Sequence, residues 1–433
     1  MTMAAHDTAE IATLIAAGED QAAFAKLRTG FGWPAGKTIE LAELPTWLEL
    51  LAELATRRGA EPLAEIAQAV VREPDSPDQL YDLGYALIDA GVPGIAATVL
   101  WRCLELVGES EEVLCELVSA LESALAYSDA LAILDEHPAL LASSFLCRYL
   151  RAFNAAMAGR LDITRTATPD LAPETPEEEA MQGALAEMVR RADRVGGATL
   201  LDDRDLRGWH YVLTGGLLLH QSPYGFDEPM HGRYAWLGDS VARIATGIER
   251  LARLVQGLDV PCVYAPPGHN HEVIAHAVAR KLGLSIAPWP AIGAPAPGLV
   301  VMYDLGELPE SEIARLLQRR AGQIVFAHAS PWTEDSPIAA DVTTLLYQTI
   351  TPPWGEAVVV DPESQEVQTA PADDRPPAVI AEDILGSAGL DGDDLVAEQL
   401  DRFDALVDRC WPPEAGTRSR AWAGGPVPSN RFT

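Results

Sequence analysis

The stretch Val260-Pro-Cys-Val-Tyr-Ala-Pro-Pro-Gly-His-Asn-His-Glu-Val-Ile-Ala-His-Ala-Val-Ala-Arg-Lys-Leu-Gly283 decides how the second half of this 433-residue chain is read. Val260–Ala265 is a short apolar run suited to a buried strand. Pro266–His269 is a loop, and His271–Leu282 has helical spacing that Gly283 ends. The alternation continues downstream. Leu284–Ala287, Leu299–Tyr303 and Gln323–His328 are strand candidates, with a helix at Pro309–Arg320 and a further strand candidate at Ala357–Val360. Continuous apolar strands separated by helices predict a mainly parallel sheet covered on both faces.

Upstream the spacing is helical. From about Thr8 to Gly197 apolar residues recur every three or four positions, with Ala and Leu dominant and short Gly, Pro or Asp breaks between segments. Leu44–Ala55 is one such helix, with Pro45 in its first turn and Gly59 beyond its end. In Gln79–Gly91, the Leu83-Gly84 pair and the Gly91 turn are followed by Ala96, thirteen residues after Leu83; Leu117 and Ala130 repeat that interval. A third unit spans Tyr149–Leu161. This arrangement resembles tetratricopeptide repeats, in which small residues sit where paired helices cross. The resemblance implies a helical solenoid that completes its core by stacking and binds a protein or peptide. Tyr81, Tyr85 and Trp101 are then the candidate partner-contacting residues. A non-repeating helical bundle is the alternative. Gly30–Thr38 approaches a phosphate loop, but its glycines leave three or five residues before Gly36-Lys37 instead of four, and the preceding residues are helical. It reads as an inter-helix loop.

The second half resembles a phosphoribosyltransferase domain over roughly residues 238–360. In that family the loop after the first strand meets pyrophosphate, and a later strand ends in two acids followed by a small, hydroxyl-rich phosphate cradle. The corresponding pieces are Ala265–His271 and Val300–Glu310. Tyr303 stands in place of the first acid and leaves Asp304 alone, while Glu307 and Glu310 place negative charge where phosphate would sit. The resemblance therefore implies the fold with its transferase activity lost.

Ligands of open parallel sheets bind beyond the strand ends. His269, Asn270, His271 and Asp304 are accordingly the candidate ligand-binding residues, against an ordinary helix start with Asn270 as its cap. No metal is expected. His276 lies about 140° round a helix from His271, and no metal-binding histidine motif completes the set. The five cysteines are scattered without a CxxC pair, which predicts reduced, buried thiols.

Flanking segments complete the outline. Thr164–Glu179 is a Thr- and Pro-rich linker, followed by helices at Glu177–Val195, Asp203–His220 and Leu237–Leu258. The stretch Ser222–Trp236 is aromatic and turn-rich. It is either a functional loop or a set of packing aromatics (Tyr224, Phe226, Tyr234, Trp236). Beyond Asp361 the chain is acidic and proline-rich, with an amphipathic helix at Asp393–Arg409 opened by the acidic cluster Asp391–Asp394. Its final residues are either disordered or docked through Trp411 and Trp422. Four regions result: a tetratricopeptide-like helical domain (1–163), a linker region (164–237), the α/β domain (238–360) and the tail (361–433).

Sixty-four acidic against 31 basic residues give a formal charge of −33. So acidic a chain repels phosphate backbones and anionic lipid, so neither nucleic acid nor membrane is an expected partner. Without a basic leader or a spanning apolar segment, the expected compartment is the cytoplasm. The sequence thus points to a non-catalytic scaffold without cofactor that binds a protein or peptide through its helices. The alternative is an enzyme or sensor taking a nucleotide or sugar phosphate at the α/β loops.

Overall fold

Prolines in first turns and serine caps set the helix starts of the N-terminal half. Pro45, Pro62, Pro77 and Pro93 open helices, and Ser110 and Ser144 accept backbone N–H bonds as N-caps. The computed structural model describes residues 3–223, 230–360, 367–387 and 397–429, and the chain divides into two units, Met1–Ala186 and Glu187–Thr433.

Unit 1 is helical: α1 (Met3–Ala17), α2 (Asp20–Phe31), α3 (Leu44–Arg57), α4 (Glu61–Arg72), α5 (Pro77–Asp89), α6 (Pro93–Val107), α7 (Glu111–Ser123), α8 (Tyr127–Asp135), α9 (Pro138–Ser143), α10 (Phe145–Met157) and α11 (Leu161–Ala167). The helix α12 (Pro176–Val195) contains the division at Ala186. Successive helices pack as hairpins, α3 on α4 and α5 on α6, while α5 also touches α7, and α7 touches α10. One continuous core runs through them, from Phe31 and Trp47 to Leu83, Leu100, Leu117 and Leu134. Gly84 is where α5 and α6 cross: a Cβ there would stand 2.4 Å from Leu100 Cγ. Ala96, the small residue paired with Gly84 by spacing, is fully buried on α6. Gly30–Thr38 forms the end of α2 and a short 3-10 turn, an inter-helix connection as expected.

Unit 2 contains β1 (Leu217–Leu218), β2 (Tyr234–Gly238), β3 (Val263–Tyr264), β4 (Ile286–Ala287), β5 (Gly298–Asp304), β6 (Gln318–Arg319), β7 (Gln323–Pro331), β8 (Val342–Thr351), β9 (Ala357–Val360), β10 (Val367–Ala370) and β11 (Gly416–Thr417). Its helices are α13 (Leu206–Thr214), α14 (Val241–Val255), α15 (His269–Leu282), α16 (Glu310–Leu316), α17 (Pro377–Gly386) and α18 (Ala397–Cys410). The main sheet has seven strands in the order β1-β8-β7-β5-β3-β4, with β2 also along β8, and every pairing in it is parallel. β5 is buried along its whole length, as befits a central parallel strand. The architecture is a helical region followed by a parallel-sheet α/β region.

Several sequence expectations need correction. The Thr164–Glu179 linker begins in α11 and a 3-10 turn at Thr168–Asp170, the helix expected from Leu237 starts at Val241 because Leu237 and Gly238 belong to β2, and the helix expected at Pro309–Arg320 ends at Leu316 before β6. Ala357–Val360 is not a strand of the main sheet; it forms an antiparallel hairpin with β10. The edge of that sheet is instead built on β8, Val-Thr-Thr-Leu-Leu-Tyr-Gln-Thr-Ile-Thr, whose threonines interrupt an apolar run yet favour a strand. The helix expected at Asp203–His220 is shorter. Gly215 adopts the left-handed conformation that ends α13, and Gly216 has no room for a Cβ, which would meet the Ala340 carbonyl at 2.4 Å. The chain turns there into β1. Of the aromatic loop, Tyr234 and Trp236 lie in β2, while Tyr224 and Phe226 fall outside the described residues, as does the Asp391–Asp394 cluster.

The C-terminal segment is docked on unit 2. Trp411 Nε1 donates to the Leu254 carbonyl at 2.7 Å. Arg418 reaches the buried Asp341 at 2.9 Å, and the buried Arg233 donates to the carbonyls of Val427 and Pro428. Among the described residues no helix is long and apolar enough to cross a membrane.

Candidate functional site

Parallel strands deliver their C-terminal ends to one edge of the sheet, and side chains from five segments converge there. Asp304 closes β5 and Asp239 follows β2, while His328 comes from β7 and Tyr347 from β8. Asn270 and His271 open α15. The sequence candidates Asn270, His271 and Asp304 do meet, but their polar atoms are spent on neighbours. Asp304 Oδ1 accepts the Gly306 N–H at 2.8 Å and Oδ2 accepts the Tyr347 hydroxyl. Burial pushes its carboxyl up to about 6, against the pull of those two donors. His271 Nδ1 accepts the Tyr303 N–H at 3.3 Å, which leaves its proton on Nε2, and burial lowers the imidazole to about 4. It is neutral at physiological pH. Asn270 is held between Trp354, which donates to it at 2.7 Å, and Glu307, to which it donates at 2.7 Å. His269 is exposed at the helix start.

Residues that spacing did not single out complete the cluster. His328 Nε2 lies 2.9 Å from Asp239 Oδ2, the Tyr303 hydroxyl donates to the same oxygen at 3.2 Å, and Arg243 binds Oδ1 at 3.1 Å. Burial raises Asp239, but His328, the Ser240 N–H and Arg243 together hold it below the usual carboxylate range. The Tyr303 ring stacks on His328 with centroids 5.6 Å apart and meets Trp354 edge-on at 5.4 Å. Asp239 and His328 are an acid–base pair in chemistry, yet both side chains are fully buried. The edge is acidic, and most of its polar atoms bond one another. Glu307, itself pushed up by burial, stands beside Asp304, so the electrostatics disfavour a phosphate here.

In unit 1 the three candidate aromatics divide. Trp101 is covered by the chain's own Lys37, whose Nζ stands 4.2 Å from the ring centroid, with Trp33 edge-on at 6.0 Å. Tyr81 and Tyr85 lie on α5, one helical turn apart, and Tyr85 is 52% exposed. Beside them α7 presents Glu112 and Glu116. Tyr81 is raised by partial burial and then by the negative charges of Glu116 and Glu112. Glu116 is raised by burial, Asp89 and Glu112; no basic group is among the causes. The result is a tyrosine-bearing acidic face. Sequence spacing found the tyrosines; the glutamates of the next hairpin were hidden among many other surface acids.

No protein-family model, curated protein or solved structure matches the chain.

Proposed function

We propose that the chain is a non-catalytic adaptor whose helical unit, a tetratricopeptide-like module, binds a basic protein segment across α5 and α7. One observation carries this reading: Tyr81, Tyr85, Asp89, Glu112 and Glu116 form a largely exposed patch, half-buried at Tyr81 and Glu116, in which the acids raise Tyr81 and Glu116 beyond the effect of burial. Acidic residues number 30 and basic residues 11 over positions 1–186, so the surrounding field also favours a positive partner. Exposed tyrosine adds apolar area at little entropic cost. The α/β unit then serves as a companion scaffold of phosphoribosyltransferase-like descent, with its strand-end site filled by Asp304, Tyr347, Glu307 and Asn270.

Fluorescence anisotropy tests the reading, with labelled Lys/Arg-rich and Asp/Glu-rich peptides titrated into the full chain. The basic peptide should bind, weaken steeply with salt, and lose affinity to the Glu112→Gln/Glu116→Gln variant and to Tyr85→Ala. Equal binding of both peptides, or equal binding by the variants, contradicts it.

A second reading has one observation in its favour. Nδ1 of the fully buried His328 has no hydrogen-bond partner among the described residues, and an unpaired buried polar atom is costly. A small polar ligand at the strand ends supplies such a partner. Thermal-shift screening with nucleotides, phosphoribosyl pyrophosphate and divalent metals checks it: stabilisation abolished by Asp304→Ala supports it, and a flat screen ends it.

A further inference from the structure

Glu111 and Cys115 are one turn apart on α7 and so share a face of that helix. The first turn of α10 lies against it, since α7 and α10 pack together, and the third residue of α10 is Cys147. A carboxylate oxygen of Glu111 and the two sulfurs all lie within 4.8 Å of one another. Both cysteines are free. Ser144 ties the group together: its Oγ accepts the Cys147 N–H at 3.1 Å as the cap of α10 and donates to Glu111 Oε1 at 2.7 Å. One hydroxyl thereby ties the Glu111 carboxylate of α7 to the first turn of α10. Cysteines acting only as small apolar fillers have no use for a carboxylate held on them.

Cys147 is buried, Cys115 half-buried and Glu111 exposed, so the group opens to solvent on its carboxylate side.

We propose that Glu111, Cys115 and Cys147 bind a divalent cation of the zinc class, which clamps α7 to α10. Two thiolates favour such an ion over magnesium or calcium, which prefer all-oxygen sites. In a tetrahedral zinc site, metal–sulfur and metal–oxygen distances of about 2.3 and 2.1 Å place ligand atoms about 3.4–3.8 Å apart. Side-chain rotations of about 1 Å bring the three atoms here to that spacing. Three protein ligands leave the fourth position for water, on the solvent side. Ser144 plays the orienting role that hydrogen-bonded outer partners take around metal-bound carboxylates. Binding takes both cysteines as thiolates, and their two protons pass to solvent.

The test uses the full chain kept reduced with a phosphine, with Co²⁺ and then Zn²⁺ as probes. One equivalent of Co²⁺ should give thiolate-to-cobalt charge-transfer absorption and tetrahedral ligand-field bands, both displaced by Zn²⁺. Zn²⁺ should also shield Cys115 and Cys147 from alkylation while Cys262 reacts as before. Cys115→Ser should diminish the charge-transfer band, and the Cys115→Ser/Cys147→Ser variant should abolish it. Glu111→Gln, at an exposed position where folding is not at stake, should weaken binding by at least about tenfold. A reduced wild-type chain without the thiolate band overturns the proposal, as does binding that Glu111→Gln and Cys115→Ser leave unchanged.

Discussion

Asp304 is an acid at the end of a buried strand, 4% exposed and held by a tyrosine hydroxyl and one backbone amide. Those donors do not repay its desolvation, so its carboxyl titrates near 6 instead of 3.8. A raised carboxyl binds its proton more tightly in the folded chain. Its contribution to stability is therefore fully present below about pH 4 and is lost as pH rises through about 6. His271, lowered to about 4, acts in the opposite sense: stability is lost as pH falls from its unfolded value of about 6.5 through 4. The two nearly cancel between those limits, and a single substitution separates them. Asp304→Asn should gain stability relative to the wild type by up to about 3 kcal/mol between pH 4 and pH 8, measured by urea denaturation at each pH. A difference that stays flat with pH contradicts the assignment. Asp304 and His271 were legible as site residues because they sit at a strand end and a helix start. Asp239 and His328 were not, because they meet across 89 residues of chain. The Cys115–Cys147 pair was hidden for the same reason: only the packing of α7 on α10 brings together residues that no local motif links.

At the scale of elements, the close approach of α5 and α6 depends on Gly84. Alanine is ordinarily the better helix former by about 1 kcal/mol, but a Cβ at 2.4 Å from Leu100 leaves no room for that gain. Gly84→Ala should destabilise unit 1 by about 1–3 kcal/mol, seen as faster hydrogen exchange in α5 and α6. A neutral or stabilising effect shows that the hairpin opens more easily than its packing indicates. The strand pattern was readable where apolar runs were unbroken, at β5 and β7, because a central parallel strand is buried on both faces. It was unreadable at β8, where buried Thr343 and Thr344 break the run, and at β1 and β2, too short or too mixed to show a period. The docking of the last segment was invisible for another reason. Arg418 looks like any surface arginine in sequence, yet its guanidinium is fully buried on Asp341, which also binds Arg319 and the Val325 N–H. Without Arg418, Asp341 keeps Arg319 and the Val325 N–H but loses one buried charge-assisted bond. Arg418→Met should cost unit 2 about 1.5–3 kcal/mol, measured as a lower denaturation midpoint with hydrogen exchange rising in β7 and β8.

Across the whole molecule the excess of acid is not a uniform coat. In the α/β unit it enters the strand-end cluster, where Asp304 and Glu307 are shifted by burial and bound to Tyr347 and Asn270. There it lies where parallel sheets commonly hold ligands. On the helical unit it gathers at Asp89, Glu112 and Glu116 around two tyrosines, where burial and neighbouring acids raise Glu116. On the adaptor reading proposed above, the charge that disfavours phosphate backbones also gives one face a preference for a basic partner. Hydrogen–deuterium exchange on the full chain, with and without a Lys/Arg-rich peptide, tests this most directly. The account predicts protection concentrated in α5 and α7 and lost in Glu112→Gln/Glu116→Gln; protection elsewhere, or none at saturating peptide, contradicts it.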